Sequence, residues 1–251
     1  MNDRMRGWMA VVYGLAAYLV AMAVLAWFVG FSGNLWVPRS VDVGPRQPWP
    51  VAFAVDAMLL ALFGLQHSVM ARQGFKAFWT RVVPEAIERS TFLVATSAVL
   101  VVLFVSWLPI EVPVIWNVQH PAGRALLWSG FGLGWALAVA STYLLDHFEL
   151  FGLRQVHARL AGRPSAEPAF RTPLLYRRVR HPLYLGFLLG FWSVPLMTAG
   201  RLLFSTGLTL YILVGIAFEE RDMVRRFGER YRRYQRQVGM LLPRWGSGGA
   251  D

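Results

Sequence analysis

The 251-residue chain has no cysteine. That absence excludes disulfides, thiolate metal ligands, iron–sulfur clusters, covalently attached haem and a cysteine nucleophile. Charge is scarce as well. Asp, Glu, Lys and Arg make up 16% of the residues against 56% hydrophobic, with a mean hydropathy of +0.43, whereas soluble domains carry about 25% charged residues. The places where charge is missing say more than its scarcity. Gly7–Pro38, Ser90–Ile110, Ala125–Leu145, Pro182–Gly200 and Leu202–Phe218 contain none, and Gln47–Ala71 is interrupted only by Asp56. About 20 apolar residues cross a bilayer as a helix. The runs therefore predict spans at roughly 9–31, 51–71, 90–109, 124–145, 182–199 and 202–219. The expected fold class is an all-α, polytopic integral membrane helical bundle of five to six transmembrane helices. No internal repeat is visible, so 1–251 reads as a single membrane-embedded domain with 245–251 a flexible tail.

Acidic residues are the rarer sign, 14 against 25 basic, for a net charge of +11. The placement of the basic residues argues against nucleic acid as a partner. With the amino terminus inside, Arg4, Arg6, Arg72, Lys76, Arg81, Arg89 and every arginine from Arg154 to Arg180 and from Arg221 to Arg244 lie on the inner side. Only Arg39, Arg46, Arg124 and Arg201 lie outside. This is the positive-inside asymmetry of a protein in a cytoplasmic (inner) membrane, with both termini cytoplasmic and the lipid bilayer as partner. The first apolar run is too long for the core of a cleaved signal and is kept as a span.

The outer connections are short or Pro/Gly-rich, and Ala199–Gly200–Arg201 reads as a tight turn joining spans five and six into an antiparallel hairpin. The inner segment 146–181, with Pro164, Pro168 and Pro173, is expected to be irregular with short helical pieces. Beyond span six, Val224, Phe227, Tyr231, Tyr234 and Val238 recur at intervals of three and four among arginines, the pattern of an amphipathic helix. The hairpin sets Arg180–His181 beside Glu219–Glu220 at the inner face. Pro182 suits a first helical turn. The helix start it marks offers unpaired N–H groups and partial positive charge to a carboxylate. Gly186 and Gly190 permit close approach of a helix or a ligand, and Tyr176 and Tyr184 could stack on a ring or face a cation. A ligand bearing a carboxylate, an adenine and a cationic centre, such as S-adenosylmethionine, would use all of these groups. Taken singly, Arg178 and Arg180 also read as interfacial anchors, Tyr184 as a belt aromatic, and Glu220 as part of a solvated ion-pair face. The glycines of "GFGLG" (130–134) follow no strand and are read as helix packing.

The ordered set Arg180-His181-Pro182-x-Tyr184-x-Gly186, then Glu219-Glu220, then Phe227-Gly228-x-x-Tyr231-x-x-Tyr234 and Pro243, resembles the isoprenylcysteine carboxyl methyltransferase superfamily of membrane enzymes. The resemblance implies use of S-adenosylmethionine. It also implies that Tyr176, Arg180, His181, Pro182, Tyr184, Gly186, Glu219, Glu220 and Tyr231 hold that cofactor. Three further stretches, "LQHSVMAR" (65–72), "IERSTF" (87–92) and "LDHFELFGLRQV" (145–156), look like the methanethiol S-methyltransferases within that superfamily. Asp146 and Glu149 stand where that pattern has Asn and Asp. Gln66, His67, Asp146 and His147 lie near the inner ends of their spans and are the catalytic candidates, and the same stretches offer Phe148, Leu150 and Arg89 to the substrate. A histidine within a span is a functional candidate by default, the alternative being a hydrogen bond that ties two helices. Asp56, near the outer end of its span, is given a structural role.

The implied reaction is S-methylation of methanethiol to dimethyl sulfide, by in-line attack of a thiolate on the sulfonium methyl, with no metal. A free cysteine thiol has a pKa of about 8.5, so a base such as His67, poised through Gln66 or Asp146, would take the proton. A small volatile thiol enters lipid readily. The other readings are a different acceptor (an isoprenylcysteine carboxylate, a phospholipid amine or another small thiol) and a non-catalytic transport or interaction protein. A transporter would show repeats and polar groups at mid-membrane. Here the polar groups gather at one face and are expected to share a single chamber.

Overall fold

The computed structural model describes residues 2–163 and 170–244; Pro164, Pro168 and the tail 245–251 lie outside the described residues. The charge-free runs fold as helices with ends written in the sequence. α1 is Asp3–Gly33: the Asn2 side chain accepts from the Arg4 N–H at its start, and Asn34 closes it in the left-handed conformation, which Asn tolerates. α2, Trp49–Ala71, carries a proline in its first turn, and α3, Gln73–Trp79, follows at once. Next come α4, Glu85–Ser106, a short strand β1, Val114–Asn117, and α5, Pro121–Leu145. The expected short helical pieces are α6, His147–Leu150, α7, Leu153–Leu160, and a 3-10 turn at Leu174–Arg177. α8 is Pro182–Trp192, β2 Leu196–Thr198, α9 Ala199–Phe227 and α10 Glu229–Gln237.

α1, α2, α4, α5 and α9 are long and apolar enough to cross a membrane, and the protein is a polytopic helical membrane protein. The span expected at 182–199 is not one helix. Its 11 helical residues rise about 16 Å, roughly half of a hydrocarbon core about 30 Å thick. Pro195 is the reason: it brings no N–H to a helix and biases Val194 away from helical angles. The chain therefore leaves the helix at Ser193 and becomes extended. β2 pairs antiparallel with β1, with an irregularity between Val114 and Trp116. Val194, Met197 and Thr198 are buried within the protein. Nor is Ala199–Gly200–Arg201 a turn, since α9 begins there and runs 29 residues, about 43 Å. It carries Glu219, Glu220 and the first part of the expected amphipathic segment. Gly228 breaks that segment at a φ of +56°, a left-handed value suited to glycine, and α10 holds the rest.

The chain divides into two compact units. Among the described residues the first comprises 2–117, 146–163 and 196–207. In it α1 packs on α4 and α7, and α2 on α4. Phe31, Phe104, Trp107 and Phe204 form its aromatic centre, with the Phe31 and Phe104 ring centroids 4.9 Å apart. Asp56 is fully buried and accepts the Leu108 N–H at 2.9 Å, just past the end of α4. Arg201 is buried too. It meets Asp42 at 2.6 Å and donates to the Ser32 carbonyl, while Thr198 donates to Asp42 at 2.5 Å. Removing one partner of a buried ion pair costs about 3–5 kcal/mol. Arg201→Met is therefore expected to lower the thermal unfolding midpoint in detergent clearly, and adding Asp42→Asn should restore part of the loss. An unchanged midpoint in the single variant would show that the pair contributes nothing.

The second unit comprises 118–145, 170–195 and 208–244 among the described residues. α5 and α8 pack closely on each other. A Cβ on Gly186 would stand 2.6 Å from the Ala138 nitrogen and 2.6 Å from the Gly134 carbonyl oxygen. α8 runs antiparallel to the later part of α9: Trp192 donates to Thr209 at 3.0 Å at one end, and Tyr184 donates to Glu219 at 2.9 Å toward the other.

Candidate active site

That antiparallel register brings the start of α8 to the end of α9, and Glu220 is where the elements meet. Its Oε1 lies 2.6 Å from Arg180 Nε and 3.0 Å from His181 Nε2, and its Oε2 accepts from Gln235 Nε2 of α10 at 2.8 Å. Arg180 also donates to the carbonyls of Gln235 at 3.1 Å and Val238 at 2.5 Å. The backbone closes the same corner: the Arg180 and His181 N–H groups donate to the Gly239 and Met240 carbonyls at 2.8 and 3.1 Å. Proline at the first helical position explains why α8 starts here. Pro182 lacks only an N–H that an α-helix leaves unpaired in its first turn.

Around this hub lies an aromatic shell. Tyr184 stacks on His181 with centroids 5.5 Å apart. Tyr234 donates to the Tyr176 carbonyl at 2.5 Å, and Phe170 packs against Phe227, Tyr231 and Tyr234. Burial is the main cause that pushes the Tyr234 hydroxyl up to about 12, with Arg180 pulling the other way, and that raises Tyr231 further with help from Glu220 and Glu219. Both phenols therefore stay neutral at physiological pH, Tyr234 as a donor. The two carboxylates differ in access: the Glu219 side chain is 48% exposed and that of Glu220 15%. A cleft of about 380 Å³, lined by Ala217, Glu220, Arg221, Val224, Arg225 and Gln235, opens at the hub, within the range of about 300–1,000 Å³ typical of small-molecule sites. Guanidinium, carboxylate, phenol and apolar groups side by side suit a ligand that carries both signs of charge.

Of the residues expected from sequence for the cofactor, Arg180, His181, Tyr184, Glu219 and Glu220 are brought together, with Tyr176 and Tyr231 in the surrounding shell. Pro182 serves as the helix start. Gly186 faces the backbone of α5 and lets that helix in. The structure adds Gln235 and Tyr234 to these residues. The spacing of four from Tyr231 to Gln235 on one helix was the available signal, because such residues share a face.

The catalytic candidates lie in the first unit. Gln66 and His67 lie in the last two turns of α2 and meet Thr96 of α4: Gln66 Nε2 donates to Thr96 Oγ1 at 3.4 Å, and that oxygen lies 3.4 Å from His67 Nδ1. The His67 ring packs against Phe92 and Phe63 with centroids 4.8 and 5.5 Å away. His147 is buried, with Nε2 3.0 Å from the Tyr18 hydroxyl and its ring against Phe151. Burial lowers its pKa, against the opposing pull of Asp146. Asp146 accepts from the Glu149 N–H at 3.1 Å, capping α6, and meets Arg154 at 2.5 Å. Arg89 donates to the Leu150 carbonyl at 2.9 Å and lies over the Phe92 ring, while Phe148 is exposed. Among the described residues, no three His, Asp or Glu side chains are grouped to hold a metal ion.

Similarity to known proteins runs the length of this architecture. A family model described as "Protein of unknown function (DUF1295)" matches residues 73–238. A methanethiol S-methyltransferase of Mycobacterium tuberculosis is 50% identical, covering 95% of this chain and 98% of its own length. Another, of Pseudomonas deceptionensis, is 49% identical over 93% of this chain and 88% of its own. Nurim of Pan troglodytes is 30% identical over 94% of this chain and 96% of its own. No solved structure matches. Fold and likeness together define the class: a membrane-embedded methyltransferase. Within it, the chain belongs to the methanethiol S-methyltransferase family.

Proposed function

We propose that the chain methylates methanethiol to dimethyl sulfide with S-adenosylmethionine as methyl donor. The observation that carries this reading is the likeness to methanethiol S-methyltransferases along nearly the whole chain. When bound, S-adenosylmethionine supplies an electrophilic methyl group on a sulfonium. The chain's own residues do the rest. Glu219 and Glu220 would hold the cationic part of the donor, Arg180 and the start of α8 its carboxylate, and Tyr176, Tyr184 and Tyr231 its ring. His181 steadies Glu220.

His67 takes the thiol proton. In the tautomer whose Nδ1–H donates to Thr96, the lone pair is on Nε2, which accepts the proton as the sulfur–methyl bond forms. General-base help of this kind contributes about 10²–10⁴ in rate. Arg89 holds the α6 backbone that carries Phe148 and Leu150, which line the path of the thiol. Asp146 acts through α6, as cap and as partner of Arg154. Both termini face the cytoplasm, the side richer in arginine.

The deciding measurement gives purified protein in lipid vesicles methanethiol and S-adenosylmethionine and reads dimethyl sulfide in the headspace. Product should appear only with both substrates. Methylation of a prenylated cysteine or a lipid amine in place of methanethiol would move the acceptor. Absence of any methylated product together with absence of S-adenosylmethionine binding would reject the enzymatic reading in favour of transport or interaction.

A further inference from the structure

Several helix hydroxyls of this protein turn back on their own turn. Thr91 donates to the Ile87 carbonyl at 2.9 Å, Ser141 to Leu137 at 2.7 Å and Thr142 to Val139 at 2.8 Å, the usual way for Ser and Thr to be satisfied in a helix. Thr96 departs from this. Its Oγ1 meets α2 instead, lying 3.4 Å from Gln66 Nε2 and 3.4 Å from His67 Nδ1. The second observation is on Gln66. Its Nε2 is engaged by Thr96 and by Met70 Sδ, at 3.2 Å, while its Oε1 is buried with no hydrogen-bond partner. A buried acceptor without a donor is uncommon and calls for an explanation. The neighbouring side chains are the rings of Phe63 and Phe92 around His67, which suit a small uncharged molecule.

We infer that Thr96 is a positioning residue for thiol activation, acting through Gln66 and His67; this rests on the proposed role of His67 as base. The hydroxyl's contact with Nδ1 fixes the orientation of the imidazole, and in the tautomer with the hydrogen on Nδ1 it is Nε2 that bears the lone pair. By accepting from the Gln66 amide, the hydroxyl fixes that side chain with Oε1 turned to accept the S–H as the thiol docks, before that one hydrogen swings to His67 Nε2 for transfer. The proton balance is simple. The S–H bond breaks, the proton forms an N–H bond at Nε2, the sulfur keeps the electron pair for the new bond to carbon, and the imidazolium later returns its proton to water. Gln66 is thereby assigned to recognising the thiol rather than to tuning the base.

The test compares wild type, Thr96→Val and Thr96→Ser in the same vesicles, reading dimethyl sulfide formation at saturating methanethiol and, separately, the KM for S-adenosylmethionine. Thr96→Val keeps the shape and removes the hydroxyl. It should lower kcat about 10–100-fold, part of the span attributed to general-base catalysis, with the donor's KM unchanged. Thr96→Ser should recover at least half of the wild-type kcat. Should Thr96→Val fail to reach the membrane folded, Thr96→Ala removes the same hydroxyl and is held to the same expectation. A Val variant with wild-type kcat, or a Ser variant as slow as the Val variant, overturns the inference while leaving the activity intact. A wild-type protein that makes no dimethyl sulfide overturns the proposed function itself, and this inference with it.

Discussion

Glu220→Gln is expected to abolish measurable S-adenosylmethionine binding and to lower the thermal unfolding midpoint of the detergent-solubilised protein. One carboxylate holds Arg180, His181 and Gln235, and thereby joins the start of α8, the end of α9 and α10. The Arg180 side chain is only 9% exposed. With a neutral amide opposite, its charge stays buried without its counter-charge, and breaking a buried pair in this way costs about 3–5 kcal/mol. Glutamine also turns an N–H group toward donors that need an acceptor. Glu219→Gln makes the informative contrast, because that side chain is half exposed and meets only the Tyr184 hydroxyl at 2.9 Å and, more distantly, His181 Nδ1 at 4.0 Å among the described residues. It should cost no more than about 1 kcal/mol while still weakening the donor through loss of charge. Calorimetric titration with S-adenosylmethionine and a melting curve separate the two effects. Wild-type binding and melting in Glu220→Gln would remove Glu220 from the centre of the site.

The contrast between these acids shows what a sequence can carry. Helices α1, α2, α4, α5 and α9 were legible because the cost of putting charge in hydrocarbon clears long stretches of it. The Arg180–His181 and Glu219–Glu220 juxtaposition was legible because antiparallel helices leave few choices for where their ends meet. α8 was misjudged because hydropathy ignores the backbone, and Pro195 ends the helix within a run that stays apolar. Arg201 read as an outer-surface charge. It is buried because Asp42 reaches it from 159 positions away in the chain, a pairing that leaves no local pattern. Asp146, a candidate for poising the base, also caps α6. The Asp146-x-x-Glu149 spacing, a capping-box signature, was the overlooked signal. Thr96 had no signature, since one hydroxyl in an apolar helix looks the same whether it bonds its own turn or reaches across.

The second large effect is expected from a single methyl group. Gly186→Ala would place its Cβ 2.6 Å from the Ala138 nitrogen and the Gly134 carbonyl oxygen. Both are backbone atoms on another helix, so no side-chain rotation relieves the clash and α5 and α8 must separate. Overpacking of this kind costs about 1–3 kcal/mol or more. His181 and Arg180 stand at the head of α8, so a shift of that helix also moves the groups that hold Glu220. The variant should melt well below wild type and bind S-adenosylmethionine at least tenfold more weakly. Gly132→Ala on α5 is the control. A Cβ there meets nothing within 4 Å, and replacing a helical glycine by alanine gains about 0.5–1 kcal/mol, so it should bind as wild type and melt at the same temperature or higher. If both variants melt and bind alike, the close α5–α8 contact does not hold the site. If only Gly186→Ala fails, that glycine serves the methyl donor at one remove, by letting one helix lie against another closely enough to fix where the second begins.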